Sequence, residues 1–96
     1  MKPERPPNQT PPGAKFKWVM ENAIEHGFLR PTPDVRKISE NQRLRVYNRV
    51  KPRSTRELIE LETERELHLG KPPITAQSEA LVRVSRWVVE GKIKQG

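Results

Sequence analysis

ITAQSEALVRVSRWVVEGKIKQG, residues Ile74 to Gly96, is the stretch that sets the fold class. Ala80, Leu81, Val84, Trp87, Val88 and Gly91 recur at steps of three and four, which gathers its apolar mass on one stripe of a helix. Thr75 follows Pro72-Pro73 and is placed to accept a backbone N–H as N-cap. Gly91 is placed to take the left-handed conformation just past the end, so the expected helix runs from Ala76 to Glu90. Arg83, Arg86 and Glu90 then turn outward, and Lys92 and Lys94 form a cationic end that complements the helix dipole.

Three further helices are expected upstream. Ser54-Thr55-Arg56-Glu57 is a capping box that opens a helix over Thr55 to Leu69, with Leu58, Ile59, Leu61, Leu67 and Leu69 as a looser apolar stripe and Gly70 as its stop. Ser39 to Gln42 has the S-x-x-Q form, and Leu44, Tyr47 and Val50 follow at spacing three, which predicts a helix over Glu40 to Val50. Leu44, Val46, Asn48 and Val50 also alternate with polar neighbours as a half-exposed strand would, but no second strand exists for it to pair with. From Ala14 to His26, Phe16, Val19, Met20, Ala23 and Ile24 repeat at helical spacing, Trp18 lies off that stripe, and Gly27-Phe28 has the order of a Schellman ending. Pro31 and Pro33 make residues 28–38 an extended connection. Residues 1–13 carry five prolines and a PxxP spacing and read as an extended or disordered tail.

The predicted architecture is therefore all-α: a Pro-rich tail at 1–13, then a single small domain over 14–96 built as a bundle of three to four short helices. A chain of 96 residues buries only roughly 60 to 65% of its unfolded surface, and a 32% hydrophobic share makes the core small. A partner is expected to supply part of the missing burial. The sequence has no apolar run long enough to span a bilayer and no signal-peptide core, which predicts no membrane association. With zero cysteines, disulfides and thiolate chemistry are excluded, and a cytoplasmic setting is the expectation.

Charge carries the functional reading. Nineteen Lys and Arg against twelve Asp and Glu give +7, which favours polyanionic partners: DNA, RNA or an acidic protein face. The cations concentrate between Arg30 and Arg53, where eight face only Asp34 and Glu40; five glutamates between Glu57 and Glu66 face only Arg65. The candidate nucleic-acid-binding residues are Arg36, Lys37, Arg43, Arg45, Arg49, Lys51, Arg53, Arg83, Arg86, Lys92 and Lys94. The competing use of Arg43, Arg45 and Arg49 is internal, as counter-charges to the glutamates of the third helix. Trp18 between Lys15 and Lys17 can stack on a base, or close the edge of the core. His26 and His68 are expected as surface residues at helix C-termini. No catalytic constellation, metal-ligand spacing, cofactor motif or phosphate loop is legible, so a non-enzyme without cofactor is expected.

The pair Thr55 to Leu69 and Ala76 to Glu90 has the format of a helix-turn-helix. Arg86-Trp87-Val88-Val89-Glu90-Gly91-Lys92-Ile93-Lys94 resembles the close of the recognition helix in excisionase and MerR-type winged-helix domains, although Val84-Ser85 here abuts Arg86-Trp87, where that family has several residues between. The expected role is a nucleic-acid-binding accessory protein of phage, mobile-element or ribosome-associated type. The alternative is a small helical adaptor that orders on a larger protein assembly, engaged through the Pro-rich tail.

Overall fold

The computed structural model describes residues 14–49 and 54–93, and all regular structure in them is helical. The helices are α1 (Ala14–Glu25), α2 (Glu40–Arg49), α3 (Thr55–His68) and α4 (Pro73–Val89), with one 3-10 turn at Val35–Lys37. The expected segments at 1–13, 50–53 and 94–96 lie outside the described residues, and with them Val50, Lys51, Arg53 and Lys94.

Local chemistry sets most of the ends. Ser39 and Gln42 form the reciprocal box, with Gln42 N–H donating to Ser39 Oγ and Ser39 N–H donating to Gln42 Oε1, both at 3.3 Å. Ser54 Oγ accepts the Glu57 N–H at 3.1 Å. Three helices close in the same way: Phe28 N–H donates to Ala23, Lys71 N–H to Glu66 and Lys92 N–H to Trp87, each across a glycine with positive φ. These are Schellman endings, and they satisfy carbonyls that the last turn leaves without helical partners.

One end differs from the sequence reading. Thr75 is not a cap; α4 begins at Pro73, with Pro72 in the cap position and no side-chain hydrogen bond to it. A proline in the first helical position needs no N–H partner and its φ is already helical, so the helix starts two residues before the first candidate cap side chain. In the 28–38 connection, Asp34 caps the 3-10 turn through Arg36 N–H, and Leu29, Val35 and Ile38 are buried anchors.

The core collects Phe16, Val19, Met20 and Ala23 from α1, Leu44, Val46 and Tyr47 from α2, Leu58 and Leu61 from α3, and Ala76, Ala80, Val84 and Trp87 from α4. Trp18 closes its edge, partly buried against it. α3 and α4 pair most extensively, and the ion pairs across the Gly70 turn step apart in opposite directions, Lys71 with Glu66 close to the turn and Arg83 with Glu62 further out, so the two helices run antiparallel. α1 lies across α3. Tyr47 and Trp87 rings meet at 6.0 Å, Trp87 Nε1–H donates to Glu40 Oε1 and Asn48 donates to the Lys92 carbonyl, which ties α2 to α4. No helix among the described residues is long and apolar enough to cross a membrane.

Two stripes fall differently from their sequence reading. Leu81 was expected in the core but is 50% exposed, because the buried stripe of α4 runs Ala76, Ala80, Val84, Trp87 and is rotated away from it. Leu69 is exposed as well, and α3 instead turns Glu62 and Glu66 into the interior beside Leu58 and Leu61.

Candidate nucleic-acid interface

Two buried carboxylates decide which cations reach the surface. Glu62 is fully buried on α3, and an ionised carboxylate there is tolerable only with several donors on it. Arg43 supplies two, Nε to Oε2 and Nη2 to Oε1, both at 3.0 Å. Tyr47 Oη–H donates to Oε2, and Arg83 Nη1 donates to Oε1 at 2.9 Å. Glu66, one turn on, takes Arg83 Nη2 at 2.9 Å and Arg65 Nη1 at 3.0 Å on Oε1, with Lys71 Nζ 2.8 Å from Oε2. Burial pushes the Glu66 carboxyl up, but the hydrogen bonds from Lys71 and Arg83 outweigh it and hold the group below its ordinary value. Burial, and then the neighbouring Glu62 charge, push the Tyr47 phenol well above its ordinary value.

Arg43 and Arg83 are therefore corrections to the candidate set. Arg43 is 3% exposed and turns its third nitrogen, Nη1, onto the Ile38 carbonyl at 2.8 Å; Arg83 is expected outward from its helix position but is pulled across α3 by two carboxylates. Neither is available to a phosphate. Arg36 stays near the surface, yet its guanidinium forks onto Asp34 at 2.7 and 2.8 Å, and this hydrogen bonding holds the Asp34 carboxyl down at about 2. Lys92 pairs with Glu90 at 3.3 Å. Lys15 donates to Glu60, while Lys17 is exposed.

Arg45 and Arg49 remain exposed, one helical turn apart on the outer face of α2, with Lys37 exposed nearby in sequence and Arg86 exposed on α4. Placing like charges four residues apart on a helix costs about 0.2 to 0.5 kcal/mol, and no carboxylate among the described residues pairs with either to relieve it. Instead Arg49 lies over the Phe28 ring, 4.5 Å from its centroid. Phe28 is held there by the α1 ending, whose hydrogen bond to Ala23 folds the chain back. Phe28, Arg30, Gln42 and Arg45 line one open cleft between α2 and the 27–31 segment, and no carboxylate among the described residues lines it.

The cluster is thus Arg30 and Arg45 in the cleft that Phe28 also lines, with Arg49 over the same ring. Arg30 and Phe28 were not among the candidate residues, although Arg30 was counted in the basic middle. Their adjacency to α2 is a product of the turn at Gly27, which brings residues 28–30 back over a helix more than ten positions later. The helix-turn-helix expectation finds no comparable surface on α4, where Arg86 stands beside exposed Ile74, Leu81, Val82 and Val89. No strand follows α4 among the described residues, and Ile93 is buried in the core. No protein-family model, curated protein or solved structure matches the chain.

Proposed function

We propose that this chain is a non-enzymatic nucleic-acid-binding accessory protein whose phosphate-contacting face is Arg30 and Arg45 in the cleft beside Phe28, with Arg49 over the Phe28 ring. The observation that supports this reading is the cleft lining, which among the described residues carries no carboxylate, in a molecule that commits Arg43, Arg65 and Arg83 to its buried glutamates. Guanidinium groups fork onto phosphate oxygens, and the Phe28 ring holds the Arg49 guanidinium beside the cleft.

Three phosphate contacts predict a slope of about −2.7 in log affinity against log salt on duplex DNA, which is a loss of about 40-fold between 50 and 200 mM salt. Fluorescence anisotropy of labelled duplex DNA and single-stranded RNA measures it. Arg45→Glu with Arg49→Glu removes two of the three contacts, so binding at low salt falls at least about tenfold and the slope flattens by about 1.8. An affinity unchanged by the double substitution overturns the reading. The exposed apolar residues of α4 favour a second role, docking of that helix on another protein chain.

A further inference from the structure

α4 is apolar on two sides. Ala76, Ala80, Val84 and Trp87 face the core, while Ile74, Leu81, Val82 and Val89 are 81, 50, 58 and 85% exposed. At 3.6 residues per turn these four, with exposed Ser78 and Ser85 between them, occupy an arc of about 100° roughly opposite the buried stripe. Monomeric proteins seldom expose a continuous apolar face of this kind along a whole helix.

The order of residues in the stripe identifies what covers it. Ile74, Ser78, Leu81, Val82, Ser85 and Val89 are spaced four, three, one, three and four, so the series reads the same from either end, with its midpoint between Leu81 and Val82. A second α4 laid antiparallel about that midpoint sets Ile74 against Val89, Ser78 against Ser85 and Leu81 against Val82, apolar on apolar and small on small. That is the self-complementarity a two-fold interface requires. The charges agree. Glu79 and Arg86 lie on the same flank of the stripe, and in this register each Arg86 comes within two residues, about 3 Å of axial offset, of the opposite Glu79. Arg86 makes no ion pair among the described residues, and Glu79, bonded to Lys71, is half-buried with its side chain still 39% exposed. We propose that the solvent face of α4 is the interface of an antiparallel homodimer. This inference is independent of the nucleic-acid reading.

Sedimentation equilibrium of the full chain tests it, together with substitutions at three exposed positions, Ser78, Val82 and Ser85, that leave the core intact by circular dichroism. The wild-type chain is expected to dimerise, and Val82→Glu, which buries a charge at the two-fold axis, to weaken the dimer by about 100-fold or more. The chain has no cysteine, so introduced thiols report orientation cleanly. Ser78→Cys with Ser85→Cys is expected to cross-link two copies on oxidation. Ser78→Cys alone is not, because like positions lie about 10 Å apart along the axis in the antiparallel register, beyond disulfide reach. A monomer at all accessible concentrations, a dimer indifferent to Val82→Glu, or efficient cross-linking by Ser78→Cys alone, as a parallel pair would give, overturns the proposal.

Discussion

Glu62 is the residue on which three helices agree. Its two oxygens receive donors from Arg43 and Tyr47 of α2 and Arg83 of α4, so the registers of both helices on α3 are set by one carboxylate. A buried ion pair is weak evidence for net stability, because desolvation offsets the attraction. Breaking it is different, since the partners then remain buried without a counter-charge. Glu62→Gln is expected to cost about 3 to 5 kcal/mol in urea unfolding, most of it the unpaired Arg43. Arg45→Gln, an exposed neighbour two positions from Arg43, is expected to fall within about 0.5 kcal/mol of wild type. Equal effects from the two substitutions would contradict the allocation of Arg43 to the interior.

Among the elements, the helix ends are written locally and the helix faces are not. Gly70 illustrates the first: it sits at φ 95°, an added Cβ there would meet nothing within 4 Å, and so any cost of replacing it comes from the backbone alone. Gly70→Ala is therefore expected to destabilise by about 1 to 2 kcal/mol, read as a lowered unfolding midpoint, with Gly70→Asn costing less because Asn tolerates the left-handed region. α4 illustrates the second. Its sequence carries apolar residues on two opposed arcs, and only packing against α3 selects Ala76, Ala80, Val84 and Trp87 as the inner one. Small alanines there admit close approach of α3, whereas Leu81 and Val82 would hold it off.

For the molecule as a whole, the ionic interior ties stability to pH at both ends. Glu66 and Asp34 titrate below their ordinary values in the folded state, so their contribution is present above about pH 4.5 and is lost as pH falls through their folded values. Glu64, pushed up by burial, works in the opposite sense just above that range, its contribution present below about pH 4.5 and lost as pH rises through its folded value. Tyr47 is displaced the other way: its contribution is complete below about pH 10 and declines above it, where the unfolded phenol releases its proton and the folded one does not. Tyr47 is the sole tyrosine, so ultraviolet titration reads it alone. The expected midpoint lies above 10 in buffer and near 10 in concentrated urea, and Tyr47→Phe flattens the alkaline limb of the stability curve.

The sequence by itself determined the helical class, the four helices and nearly all of their ends, because caps, prolines and C-terminal glycines act over three or four residues and need no distant partner. The exception, Thr75, lost to a proline that needed no cap. What only the tertiary structure decided was the fate of the charges. Arg43 and Arg45 sit two positions apart in one basic run, yet one is buried on Glu62 nineteen residues away and the other lines a cleft with Arg30. A guanidinium goes where a carboxylate must be neutralised, and that pairing exists only after α2, α3 and α4 have packed.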